Sequence, residues 1–433
     1  MIFASSSVPA RAWVVTFAGT AINLCLGILY AWSVWKKNLV APRPELAGDE
    51  MTGLNEGWIY LTQAQGTWAY SICGFVFALS MIAGGRIQDK YGPKLGATGG
   101  GLFLAAGCIL SGIMESYLGL ILGFGVLGGI GMGLAYAATT PAAVKWFGPH
   151  QRGLIVGLVV GGYGGAAIYI SPLAEYLIGQ YGISGSFIGL GIFFAVVVII
   201  AGQLLSWPPA GYVPPQAPVA SVSGSGGGMT QVDWPASSMV GTMQFYALVF
   251  MFLGSAQSGL LVIGNAAPML NKTATTFAFL AANAWLLSSY GGLVNAVGRV
   301  GTGVYSDRIG RTNAYLVNGI VSAACLFATP WIMRTENVFL LFLVVGIAYW
   351  QYGGGLALLP AFTADFFGSK NLGFNYGLVF LGWGLAFAIV QIAGYLQDLT
   401  GSLDYAFYLS GGLLTASVVV CLVTRRPIAR GET

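Results

Sequence analysis

Twelve stretches of this chain are each long and apolar enough to cross a lipid bilayer, and most of what joins them is too short to fold alone. They run roughly over residues 13–35, 60–85, 95–114, 118–145, 153–178, 184–206, 242–265, 280–304, 313–332, 338–364, 373–396 and 403–424. A hydrocarbon core of about 30 Å needs about 20 apolar residues in a helix. Inside it every backbone polar group must find its partner within the protein, so runs of this kind read as helices. Composition agrees: 7% of residues are charged and mean hydropathy is +0.76, where a soluble domain carries about 25% charged residues. The 66 glycines follow no collagen period and read as sites of close helix packing. A net charge of +4 sits in short loops and points to no nucleic acid. The five cysteines, Cys25, Cys73, Cys108, Cys325 and Cys421, all lie in apolar runs without metal-ligand spacing and read as small packing residues.

Lysine and arginine positions set the expected orientation. With the N-terminus inside, Arg11, Arg86, Lys90, Lys94, Lys145, Arg152, Arg308, Arg311, Lys370, Arg425, Arg426 and Arg430 lie on the cytoplasmic side; Lys36, Lys37, Arg43, Lys272 and Arg334 lie outside. Both termini are then cytoplasmic. The first span lacks a convincing cleavage site and reads as retained. Residues 207–238, rich in Pro, Gly and Ser, read as a cytoplasmic linker with little capacity to fold. It divides a bundle of residues 1–206 from one of residues 239–433. Two motifs recur. Asp89, in G-G-R-I-Q-D-K-Y-G-P-K, and Asp307, in G-V-Y-S-D-R-I-G-R, are 218 residues apart. W-F-G-P-H-Q-R-G-L-I-V-G, starting at Trp146, and F-F-G-S-K-N-L-G-F-N-Y-G, starting at Phe366, are 220 apart. Two matches at nearly one offset imply a duplicated six-helix unit with a site between the halves, near the midplane.

Gly85, Asp89, Lys90, Gly92 and Lys94, with Pro93 inserted, and Gly303, Asp307, Arg308, Gly310 and Arg311 resemble the G-x-x-x-D-R/K-x-G-R/K signature of the major facilitator superfamily. The resemblance covers the whole chain. It implies an all-α membrane protein, with twelve transmembrane helices in two pseudo-symmetric six-helix bundles. It also implies a gating role for Asp89, Lys90, Asp307 and Arg308, in which an aspartate meets the positive N-terminal end of a helix in the other half. N-A-V-G-R-V-G-T-G-V-Y-S-D-R-I-G-R from Asn295, V-K-W-F-G-P-H-Q-R-G-L from Val144, G-G-Y-G-G-A from Gly161 and N-Y-G from Asn375 resemble the oxalate:formate antiporter branch and its monocarboxylate-transporter relatives, bacterial ones in particular.

Arg299 lies eight residues before Asp307, about 12 Å above that turn at about 1.5 Å per residue, and so near mid-membrane. Insertion of an arginine there costs roughly 2.5–3.5 kcal/mol, and such residues are functional by default. No Asp, Glu, Lys or His is expected at comparable depth. A guanidinium facing an aqueous cavity suits a carboxylate, which it holds through two parallel bonds; the bland reading is an arginine tied to backbone carbonyls. Trp285, Ser288, Gly292, Asn295 and Arg299 form a polar or small stripe at helical spacing. Thr16, Thr20, Asn23, Gly27 and Tyr30 share a face that suits a cavity or tight packing equally. Tyr136, Tyr163 and Tyr352 align with aromatic site residues of the oxalate carrier. By the same resemblance Asn295 stands where animal monocarboxylate transporters have an aspartate involved in proton coupling, and Trp383 where the oxalate carrier has a second cation, a lysine. One fixed cation suits a monoanion better than a dianion. Arg299 would take the head of a small acid, and Trp383, Phe380 and Tyr352 its tail.

The expectation is a bacterial inner-membrane secondary transporter of lactate, pyruvate or a similar acid, proton-coupled, acting as a monomer without cofactor or metal. The alternatives are an anion exchanger of the oxalate/formate type, a drug efflux carrier, or a receptor on a transporter fold. No nucleophile–base pair, metal cluster or phosphate-binding loop suggests an enzyme or an ATP-driven pump.

Overall fold

The computed structural model describes residues 8–148, 151–214, 232–368 and 370–427. The first half contains α1 (Ala10–Leu39), α2 (Gln63–Tyr91), α3 (Pro93–Met114) and α4 (Tyr117–Val144). A continuous helical run, Gly153–Leu204, follows. It breaks at Gly182, whose φ of 70° makes two spans of it, α5 (153–181) and α6 (183–204). The second half contains α7 (Met243–Thr273), α8 (Trp285–Ile309), α9 (Arg311–Arg334), α10 (Val338–Phe367), α11 (Leu372–Thr400) and α12 (Asp404–Val423). Ten segments are apolar enough to count as spans on composition alone. The break at Gly182 adds one, and α8 adds the twelfth. With 25 residues α8 is long enough, but Asn295, Arg299, Asp307 and Arg308 dilute its hydropathy.

Short polar side chains start several helices by accepting from orphan N–H groups of the first turn. Thr62 forms a capping box with Gln65 at α2, Thr242 accepts from the N–H of Phe245 at α7, and Asn337 from that of Leu340 at α10. The two repeated turns share one geometry: Gly92 has φ 87° and Gly310 φ 88°, in a region that favours glycine. The inserted Pro93 begins α3, where a missing N–H costs nothing.

Packing repeats with the sequence. In the first half α3 lies on α6, α2 on α4 and α1 on α5; in the second, α9 lies on α12, α8 on α10 and α7 on α11. Across the halves α2 meets α11, and its counterpart α8 meets α5. The resulting architecture is two six-helix bundles around a shared seam.

The two ends of the seam differ. At the end bearing the repeated turns, a cavity of about 500 Å³ opens between α2, α4 and α5 on one side and α10 and α11 on the other, reaching from Tyr136 and Val160 to Arg86 and Asp89. The opposite end is shut. Asp398 of α11 accepts from the N–H groups of Gln63 and Ala64 at the start of α2, both at 2.8 Å. Gln391 donates to the Ala64 carbonyl, and Trp68 to the Tyr395 hydroxyl. Between α1 and α2, the loop closes over the turn at Gly182, with Asn55 accepting from the N–H of Ile183 and Trp58 donating to Ser184.

Two expectations need correction. Lys36 and Lys37 belong to the last turns of α1, not to an outer loop, and Lys36 is 2% exposed. The flanks of the 207–238 segment are docked: Tyr212 donates to the Trp146 carbonyl, and the Trp234 N–H to that of Phe367. Residues 215–231 of that segment, with His150 and Arg430, lie outside the described residues.

Removing a side-chain cap costs about 1 kcal/mol, a factor of about five in an equilibrium. Asp398→Ala is therefore expected to open the shut end more often. In a cysteine-free background, maleimide labelling of a cysteine at Gln391, buried in this state, should speed up about fivefold.

Candidate functional site

Arg299 is 7% exposed and reaches from α8 to α5 and α1; it does not line the cavity itself but bonds Val160, which does. Its Nε donates to Asn295 Oδ1 one turn earlier at 3.2 Å. Nη1 donates to the Val160 carbonyl of α5 at 3.3 Å, and Nη2 to the Tyr30 hydroxyl of α1 at 3.3 Å. All three partners are neutral, and no ion pair among the described residues includes Arg299. The bland reading of a backbone-tied arginine holds for one nitrogen only. Asn295 turns its oxygen to Arg299, and its buried amide nitrogen has no partner among the described residues. An anion arriving there meets a cation and a spare donor together.

A second chain of bonds continues from Tyr30. Its hydroxyl lies 2.7 Å from that of Tyr352 on α10, and Trp383 of α11 donates Nε1–H to the same Tyr352 oxygen at 2.8 Å. Two phenol hydrogens are available. The mutual bond uses one, and Arg299 and Trp383 only donate, so the other is free for an incoming oxygen. Close helix approach makes this possible. A Cβ on Gly27 would lie 2.4 Å from the Tyr163 carbonyl, so only glycine lets α1 come near enough to α5 to set Tyr30 against Tyr163. The helix narrows to a 3₁₀ turn at Gly27–Ala31, a common mark of a functional kink.

The other expected side chains form the apolar wall. Tyr163 meets Tyr30 edge-on at 4.9 Å and Tyr136 at 5.4 Å, and Phe380 stacks on Trp383 at 5.0 Å. Phe77 of α2, absent from the expected set, joins these groups, touching the rings of Tyr136, Tyr163, Phe380 and Trp383. The repeat could have found it, because Phe77 lies 218 residues before Asn295. Tyr376, another omission, lines the cavity. On α1, Asn23 bonds Thr139 and the Val159 carbonyl, and Thr20 bonds the carbonyls of Thr16 and Leu158. That face is packing rather than cavity, apart from Tyr30.

Asp89, Lys90, Asp307 and Arg308 lie apart, exposed at the open end. Asp307 pairs with Arg311 of its own turn, and Arg311 reaches Asp365 of α10 at 3.9 Å. Those contacts stay within one half, while Arg86 faces the Phe374 ring of α11 across the seam at 5.8 Å.

The sequence profile of the Major Facilitator Superfamily matches residues 12–355 and 286–433. The chain belongs to this superfamily. It is 27% identical to the uncharacterized MFS-type transporter YhjX of Escherichia coli over 376 residues, 86% of this chain and 85% of the relative. It is 26% identical to the oxalate:formate antiporter of Oxalobacter formigenes over 76% of this chain and 79% of the relative. It is 25% identical to monocarboxylate transporter 12 of Xenopus laevis over 80% and 77%. As a member of the major facilitator superfamily the protein is a multi-pass membrane transporter, not an enzyme.

Within this transporter the Tyr352 hydroxyl and a neighbouring one predict opposite outcomes. Tyr352→Phe leaves Trp383 Nε1 buried without an acceptor, which costs about 1–3 kcal/mol. The Tyr349 hydroxyl is buried with no partner among the described residues, so Tyr349→Phe should be neutral or stabilising. Thermal unfolding of the purified variants checks both.

Proposed function

We propose that the protein is a secondary transporter of small monocarboxylates, such as lactate or pyruvate, that moves them by alternating access between its two halves. The observation that carries this reading is a buried guanidinium that, among the described residues, is held only by neutral groups. A carboxylate would take over Arg299 nitrogens now spent on Tyr30 and the Val160 carbonyl, and would accept from Asn295 and from the free phenol hydrogen. Its short apolar tail would lie among Tyr136, Tyr163, Phe380 and Trp383. Where the oxalate carrier has a lysine stands Trp383, a neutral side chain whose N–H is already engaged by Tyr352, so the wall supplies no second cation for a dianion such as oxalate. This favours the monocarboxylate over the exchanger reading.

Asn295 cannot titrate, so a coupled proton would travel with the substrate's own carboxylate, and the empty Arg299 would fall back on the partners it has in this state. The excess of lysine and arginine at the open end supports a cytoplasmic placement of that end and of both termini. The state described is then inward-facing, in a bacterial inner membrane, with residues 1–206 and 239–433 as the rocking units and the monomer as the working form. When the inner end closes, Asp89, Lys90, Asp307 and Arg308 would be the groups that meet the opposite half.

Uptake of labelled L-lactate into proteoliposomes with an acid exterior tests this. Wild type should accumulate lactate and lose it when an ionophore collapses the gradient. Arg299→Gln should be at least about thirtyfold slower, since loss of a buried charge partner costs about 2 kcal/mol or more. Uptake that requires a trapped internal anion would favour exchange, and equal transport by the variant would remove the substrate reading.

A further inference from the structure

The repeat that builds the two halves also gives the seam two equivalent corners. Adding 218 to a position of α2 takes Gly74 to Gly292, Phe77 to Asn295 and Met81 to Arg299. The helices they cross correspond as well. A Cβ on Gly74 would run into the Phe387 ring of α11, and one on Gly292 into the Ala167 methyl of α5; Ala167 and Phe387 are 220 residues apart. The crossing of α2 with α11 is thus the counterpart of the crossing of α8 with α5. A two-fold relation sets the two on opposite sides of its axis.

The chemistry of the two corners is opposite. The α8 corner presents an amide and a guanidinium, and the α2 corner presents a phenyl ring and a thioether at the same two positions. Phe77 is 1% exposed. Its ring lies 5.5 and 5.8 Å from those of Tyr136 and Tyr163 in its own half, and 6.1 and 5.1 Å from those of Phe380 and Trp383 in the other. These are ordinary ring contacts, so Phe77 fills the centre of the apolar wall. Met81, one turn toward the open end, lines the cavity. Tyr163 joins the two corners. Its ring meets that of Tyr30, an Arg299 partner, at 4.9 Å and that of Phe77 at 5.8 Å.

We propose that Phe77 is the residue that limits the length of the acid's tail. This rests on the monocarboxylate reading. With the carboxylate at Arg299 and Asn295, the tail points across the seam toward α2 and stops against the Phe77 ring. That ring occupies the space a longer chain would need, and the rings of both halves enclose it. Met81 does not set the limit, because an unbranched thioether side chain adapts to what it meets, whereas a ring held by four others does not. Cutting Phe77 back to Cβ would open an apolar hollow lined by those four rings, a dry space of the kind that takes up hydrocarbon. Each further methylene buried there strengthens binding about fourfold.

The test is calorimetric titration of the purified protein at neutral pH with a homologous series: lactate, 2-hydroxybutyrate, 2-hydroxypentanoate and 2-hydroxyhexanoate. In the wild type, affinity should fall at least about tenfold from lactate to 2-hydroxyhexanoate, as expected when a packed site is overfilled. Phe77→Ala should reverse the order. Affinity should then rise about fourfold with each methylene, so that 2-hydroxyhexanoate binds more tightly than lactate. Phe77→Leu, which removes the ring and keeps a branched side chain, should move the best length up by one or two methylenes; this arm decides even if Phe77→Ala fails to fold. A ring that only supports the fold would leave the length profile as it is. A wild-type profile in both variants, or an equal loss of affinity for every acid, would therefore overturn the proposal. A wild type that binds no acid of the series would remove the monocarboxylate reading, and the proposal with it.

Discussion

One buried guanidinium, with no carboxylate to hold it among the described residues, is the constraint around which this molecule is arranged. An isolated charge in a low-dielectric interior is tolerated only where hydrogen bonds or water compensate it. Here α8 supplies one acceptor from its own previous turn, α5 a carbonyl and α1 a phenol. These bonds are charge-assisted but join a cation to neutral dipoles, and a carboxylate would do better than any of them. The site is therefore satisfied enough to fold and still favourable to an anion. Replacing Asn295 with an acid would satisfy Arg299 internally, and remove the advantage, for as long as that acid stayed ionised.

The two-fold repeat explains why this charge can be served from one side at a time. Each half packs its helices in the same pairings, and the two most extensive contacts across the seam, α2 with α11 and α5 with α8, are related by the repeat. In this state the shut end carries a cap of the kind the resemblance placed at the repeated turns: a carboxylate from one half on the first N–H groups of a helix in the other. It is made by Asp398 on α2, at the opposite end from Asp89 and Asp307. Nothing in a linear sequence distinguishes the end that is closed in a given state.

Much of the fold was legible because the bilayer makes it so: length and hydropathy alone give spans, and the repeats at Asp89/Asp307 and Trp146/Phe366 give two bundles. The even choice between cavity and packing on α1 was not resolvable from spacing. Thr20 and Asn23 turned inward, to carbonyls of α5 and, for Asn23, to the Thr139 hydroxyl of α4, because glycines let those helices close up. Arg299, Asn295, Tyr30, Tyr352 and Trp383 were legible as a group and are joined by hydrogen bonds. Phe77 was missed because a lone phenylalanine in an apolar run carries no signal, although carrying Asn295 through the 218-residue offset lands on it. The same move with the 220-residue offset takes Tyr163 to Trp383, so aromatic residues stand at equivalent places in both halves. Lys36 was misplaced because two adjacent lysines look like the end of a span, and hydropathy cannot show that a helix continues past them.

The central claim is that Arg299 is counter-charged by the substrate's carboxylate. Its most direct test is protection of the purified protein against thermal unfolding by lactate and by lactamide, which has a similar shape and no charge. The account predicts saturable stabilisation by lactate, none by lactamide at the same concentration, and loss of the lactate effect at alkaline pH in Asn295→Asp, where an internal ionised carboxylate occupies Arg299. Equal stabilisation by the two ligands, or an undiminished lactate effect in Asn295→Asp at alkaline pH, would contradict it.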